Sequence, residues 1–250
     1  MTPAAAPASA ELAAARHALH AQWDRLRPWI GAVVDAGTGT AASVLPGWTI
    51  DELVAHLGRA MDALAACVPL PEGTVPLTLA EYLGTYPGRA AEITQVTREL
   101  AVEIADDPLA GVDARMRAAF ARLDELGPVD LVVQARRGPV LLSTMTLSRV
   151  IELTVHADDL ARSVASARGR ARLSAEEDPV DAEALDLVAQ ALLRIVVARG
   201  GWDLEVVDAR AWVRLAAGRT PYDVDALTGA LQARFASDAV PDLGRMLPLL

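Results

Sequence analysis

One helical stretch carries side chains of the types and spacing needed for metal or acid–base chemistry. In "RVIELTVHADDLARSV", residues 149–164, Glu152 and His156 stand at i and i+4, and Asp159 follows three residues after His156. On a helix these positions lie one above another on a single face, and Arg149 opens the same row one turn earlier. A carboxylate and an imidazole one turn apart can grip one divalent ion. Zinc takes about three or four such ligands at roughly 2 Å, so two on one helix need a third from elsewhere. Of the other three histidines, His56 lies at the flank of its own helix's apolar stripe, pointing sideways toward a neighbour. His56 joined to Glu152 and His156 makes a three-ligand site with open positions, which is catalytic rather than structural in style. The competing reading is a solvated face. The row sits opposite Val150, Leu153, Ala157, Leu160 and Val164 on the helical wheel, and Glu152–His156 is then an ordinary surface pair. His17 and His20, spaced i and i+3, can also chelate or simply belong to a polar face.

Other chemistries find less support. Cys67 lies eleven residues past His56 on the same helix, about 16 Å along its axis, too far to share a site with it. It reads as a small core residue, and Trp48 as a core anchor. No Ser-His-Asp pattern, G-x-G-x-x-G or P-loop occurs. Lysine and asparagine are both absent, which excludes Schiff-base chemistry on lysine and points to a GC-rich bacterial genome. A net charge of −10 disfavours nucleic acid and anionic membranes. The exceptions are "ARR" at 135–137 and "RGRAR" at 168–172, and neither is flanked by stacking aromatics. A single cysteine, no secretory signal and no long apolar run give the expectation of a cytoplasmic protein without a membrane span.

The elements that must position these residues are mostly helical. Apolar periodicity predicts helices over about 10–34, 48–68, 79–104 (nicked at "YPG") and 108–126. Thr49 and Glu52 form a capping box for the second. A small hairpin around "RRGP" precedes the helix of the opening motif, which Ser143 or Thr146 would start. The charged, small-residue stretch from 165 to 180 reads as a linker. Beyond it come a helix over 181–198, a short "DLEVVD" strand or turn, and helical pieces over 209–219 and 223–235.

"WTIDELVAHLGR" and "LSRVIELTVHADDLARSV" together resemble the mycothiol-dependent maleylpyruvate isomerase family of the DinB-like superfamily. Both motifs occur in the family's order with a hairpin between them, and the resemblance covers residues 10–165. It implies an all-α, four-helix DinB-like bundle over 1–167. It implies a divalent metal, zinc most of all, on His56, Glu152 and His156, with mycothiol as thiol cofactor. Asp159, Arg149 and Arg59 would support the ligands, Asp159 by orienting His156 or by pairing with Arg59 or Arg149. The tail, "AWVRLAAGRTPYDVDALTGALQARFASDAVPDLGRMLPLL", resembles the end of a sterol-carrier-like domain. It is shortened here to a small α or α+β appendage over 180–250 that packs beside the bundle or mediates a homodimer. The expected function is a metal-dependent, thiol-cofactor enzyme acting on a small molecule, as a maleylpyruvate-type isomerase or thiol S-transferase. The rivals are a non-enzymatic binding protein on the same scaffold and a metal-dependent hydrolase.

Overall fold

The computed structural model describes residues 8–85, 87–169, 177–235 and 239–250. Helix α1 (Ala10–Asp35) starts at Ser9, whose hydroxyl accepts from the Leu12 amide. Its buried residues Leu12, Leu19, Leu26 and Ile30 recur at intervals of seven and four, one apolar stripe laid against α6 (Leu142–Ala167). Helix α2 (Ile50–Ala65) packs on α6 and on α5 (Pro108–Leu126), completing the four-helix bundle. Gly58 lets α2 and α5 approach closely: a Cβ there would stand 3.1 Å from Arg115 Cδ and 3.5 Å from Val112 Cα.

The helix expected over 79–104 is divided. Helix α3 (Leu79–Leu83) ends at Gly84, a 3-10 turn spans Pro87–Arg89, and α4 (Ala90–Glu103) begins anew against α2. Pro87 supplies no amide to continue the earlier helix. The expected hairpin is the inner part of a three-stranded antiparallel sheet. Strands β2 (Val132–Ala135) and β3 (Gly138–Leu141) pair Val133 with Val140 across a turn at Arg136 and Arg137, and β1 (Val68–Pro69) adds at the β2 edge. Two residues ending in proline carry no strand signal, which is why β1 escapes a sequence reading.

Helix α6 follows β3 directly, at Leu142 rather than at Ser143 or Thr146. Its first turn is capped from outside: the Ser143 amide donates to Asp130 Oδ1 at 2.8 Å. The stripe Val150, Leu153, Ala157, Leu160 and Val164 is fully buried, and Arg149, His156 and Asp159 on the opposite side are buried too. The solvated-face reading of the motif therefore falls, because neighbours cover α6 on both sides.

Helix α6 runs to Ala167, into the stretch expected to be a linker, of which 170–176 lie outside the described residues; after it come α7 (Ala182–Gly200), β4 (Leu204–Val206), α8 (Ala209–Ala216), α9 (Val224–Ala230) and β5 (Leu231–Ala233). The helix expected to reach Phe235 stops at Ala230, and the chain continues as β5, antiparallel to β4 with Leu204 opposite Ala233. Long-range pairing overrides helix propensity there. Helix α7 packs on α1 and α6, and one apolar core runs through both parts of the chain. Gln22 of α1 ties down the segment that enters α7, donating to Pro179 O and accepting from the Asp181 amide. Arg170 and Arg172 of "RGRAR" lie outside the described residues. Among the described residues no helix is long and apolar enough to cross a membrane.

Candidate metal centre

Helix α2 presents His56 from a fixed start. The Thr49 hydroxyl accepts from the Glu52 amide and Glu52 accepts from the Thr49 amide, so the expected capping box is formed. Arg98 of α4 also holds Glu52, at 3.0 Å. Helix α6 runs antiparallel to α2: His56 faces Glu152, while Arg149, one turn earlier on α6, donates to Ala60 O, one turn later on α2. This register brings residues ninety-six positions apart onto one point.

His56 Nε2 and His156 Nε2 each stand 3.4 Å from the same oxygen, Glu152 Oε2. All three side chains are buried, and one ligand atom from each lies within 4.8 Å of the others. A separation of 3.4 Å is long for a hydrogen bond between such strong partners. It is the spacing of donors arranged tetrahedrally about 2.1 Å from a common ion, which lie roughly 3.4 Å apart. Two imidazole nitrogens at that distance from one carboxylate oxygen, with all three side chains buried, fit a divalent cation.

The charges of Glu152 and His56 agree with that fit, while His156 is pulled the other way. Burial works against ionising Glu152, yet its contacts with His156 and His56 and the charge of Arg149 hold its carboxyl well below the usual range. Burial pushes the His56 imidazole down, toward the neutral form a ligand needs, against the pull of Glu152. Burial also opposes charge on His156, but Asp159 and Glu152 outweigh it and raise its pKa. Each ring is held from behind at its other nitrogen, His156 Nδ1 by Asp159 Oδ2 at 3.0 Å and His56 Nδ1 by Thr97 Oγ1 at 3.3 Å. With Nδ1 engaged, Nε2 of each ring is the atom turned toward the centre.

The expected partners of Asp159 need correcting. It pairs with neither Arg59 nor Arg149 but with Arg219, whose Nε reaches its two oxygens at 3.0 and 2.9 Å. Arg219 lies just past α8, sixty residues away in sequence, so no local pattern discloses it. Arg59 pairs with Asp62 at 3.1 Å on its own helix. Arg149 approaches Glu152 Oε1 at 3.9 Å and is anchored on Ala60 O and the Ser148 hydroxyl.

The three candidate ligands line a cavity of about 450 Å³ that Arg59, Arg149 and Arg219 also line. Trp48 is a wall of this cavity rather than a core anchor, its ring edge-on to His56 with centroids 5.2 Å apart. His17 and His20 stay apart from it: His17 faces Glu183 at 3.4 Å, and His20 stacks on Phe120. Cys67 is buried outside the cavity, and burial pushes its thiol up to about 11.

Residues 19–161 match the family described as Mycothiol maleylpyruvate isomerase N-terminal domain. The chain belongs to that family. Two solved structures are similar to it, both of a mycothiol-dependent maleylpyruvate isomerase and one of them a mutant. Each is 18% identical, over 94% of this chain and 95% of that one, with a TM-score of 0.48. No protein with a curated description matches. His56, Glu152, His156 and Asp159 all fall inside the segment matched by the maleylpyruvate isomerase family, whereas Arg219 falls beyond it.

Proposed function

We infer that this protein is a divalent-metal enzyme that uses a small thiol cofactor, mycothiol, to isomerise or S-conjugate a small electrophile. The observation that carries this reading is the convergence of His56, Glu152 and His156 on one buried point in the wall of a cavity. Bound there, a divalent ion supplies Lewis acidity that lowers the pKa of a thiol, and mycothiol supplies the thiol. Zinc suits this donor set best, and iron and nickel accept the same ligands.

The chain's own residues do the positioning. Glu152 brings the negative charge and His56 a ring that burial keeps neutral. Asp159 fixes the ring of His156 and is itself clamped by Arg219, so the ligand face is set before anything binds. Trp48 stands edge-on to His56 and, with apolar residues such as Val155, walls the cavity beside the imidazoles. Cys67, buried away from the cavity with a raised pKa, need not act, because the nucleophile comes in with the cofactor.

The test is turnover of maleylpyruvate, or formation of a mycothiol S-conjugate from an electrophile such as a bimane halide, by protein carrying its metal. We expect activity that needs both thiol and metal and is lost in Glu152→Ala. Activity that survives in that variant, or that proceeds without thiol, contradicts the reading.

A further inference from the structure

The two imidazoles of the triad are held from behind by unlike groups. His156 Nδ1 meets the Asp159 carboxylate at 3.0 Å, and Arg219 balances that charge. His56 Nδ1 meets the Thr97 hydroxyl at 3.3 Å, and among the described residues it has no other hydrogen-bond partner.

Thr97 is placed unlike a residue that serves packing. Helix α4 buries only two side chains, Thr97 and Leu100. Thr97 is wholly enclosed, so a polar residue fills one of the two places where an apolar one would add most to the core. A buried helical threonine can satisfy its hydroxyl on the carbonyl one turn back. Thr146 of α6 does this, donating to Leu142 O at 2.8 Å. Among the described residues Thr97 makes no such bond, and its hydroxyl meets His56 of α2 instead, forty-one positions away in sequence. Thr97 lies between the two sequence motifs, on a helix whose neighbouring residues Ile93, Thr94 and Val96 line the cavity.

The chemistry of a ligand imidazole explains the placement. The ring offers Nε2 to a cation only when that nitrogen carries no proton, so the neutral ring must keep its proton on Nδ1. A buried N–H of this kind needs an acceptor. A hydroxyl accepts without bringing a charge, so the support behind His56 adds no negative charge to the centre.

We propose that Thr97 is a positioning residue of the metal centre: its hydroxyl accepts from His56 Nδ1 and holds the ring with Nε2 free for a divalent ion. It acts through His56 and does not itself bind the ion. The proposal rests on reading the triad as a metal site, and on nothing about the thiol or the substrate.

The experiment is competition for zinc between the loaded protein and a chromophoric chelator at neutral pH, for wild type and Thr97→Val, Thr97→Ser and Thr97→Ala. Thr97→Val keeps the shape and loses the hydroxyl, and should weaken zinc binding about 10–100-fold, the range for loss of a hydrogen bond behind a ligand. Thr97→Ser keeps the hydroxyl and should stay within about threefold of wild type, whereas Thr97→Ala should fall about as far as Thr97→Val. The serine and alanine variants differ only in the hydroxyl, so they carry the test if the valine variant does not fold, which circular dichroism of each chain reveals. Zinc affinity unchanged in a folded Thr97→Val, or weakened equally in Thr97→Ser and Thr97→Ala, overturns the proposal and leaves the metal site standing. A wild-type chain that binds no zinc overturns both.

Discussion

Glu152 and Asp159 lie two turns apart on the same face of α6, both buried, both with carboxyls held below their usual range. Their surroundings differ in kind. Asp159 is saturated: His156 engages one oxygen at 3.0 Å and Arg219 reaches both at 2.9–3.0 Å. Glu152 is surrounded but not satisfied, with two imidazole nitrogens at 3.4 Å and a guanidinium at 3.9 Å. The first arrangement is a finished ion pair that locks the C-terminal segment to the bundle. The second is a ring of donors around a gap. Asp158, next to Asp159, follows the finished pattern, with Arg214 bidentate at 2.7 Å and Arg210 at 2.9 Å. One helix thus carries both a seam and a site, and hydrogen-bond length tells them apart.

Substituting the two carboxylates should split stability from metal. Asp159→Asn leaves Arg219 and the back of His156 without their charge partner. With Arg219 a quarter exposed, the cost is about 2–3 kcal/mol, discounted from a fully buried pair and read from the denaturant midpoint. Glu152→Gln loses only long contacts and should cost about 1 kcal/mol without metal, while abolishing metal retention. Equal destabilisation by the two would break the comparison. Because the Asp159 carboxyl is depressed in the fold, its contribution is fully present well above pH 4 and is lost as pH falls through the folded-state value. The gap between wild type and Asp159→Asn should therefore narrow below about pH 4.

Smaller effects sharpen the picture. Arg214→Ala removes the bidentate partner of Asp158 but leaves Arg210, so we expect about 1–2 kcal/mol of lost stability with metal content unchanged. Thr49→Ala removes the cap of α2 and should cost about 1 kcal/mol, with metal affinity weakened slightly because His56 lies two turns from that end. The smallest effect belongs to Cys67. Buried, with its thiol at about 11, it should resist iodoacetamide at pH 8 in the folded protein and react only after denaturation, as mass spectrometry would show.

The site was more legible in the sequence than its setting. The i, i+4 spacing of Glu152 and His156 and the sideways placement of His56 follow from helix geometry, and the Thr49–Glu52 box marks where α2 begins. Spacing alone left a ligand row and a wet face equivalent, because what covers α6 comes from elsewhere in the chain. Arg219 and Thr97 escaped for the same reason: their contacts are tertiary, with no local period to betray them. Strands β1 and β5 are two and three residues long, below what alternation can reveal, and exist only through their partners. Trp48 precedes an apolar helix as a core residue would, yet it lines the cavity with its ring against that of His56.

The central claim is that His56, Glu152 and His156 form one metal site, and elemental analysis tests it most directly. Protein purified without chelators or affinity metals should be compared as wild type, His56→Ala and the double variant Glu152→Ala/His156→Ala. About one divalent ion per wild-type chain, lost in both variants, is the predicted result. A wild-type chain that takes up no metal even when zinc is supplied, or a His56→Ala chain with unchanged stoichiometry, would contradict it.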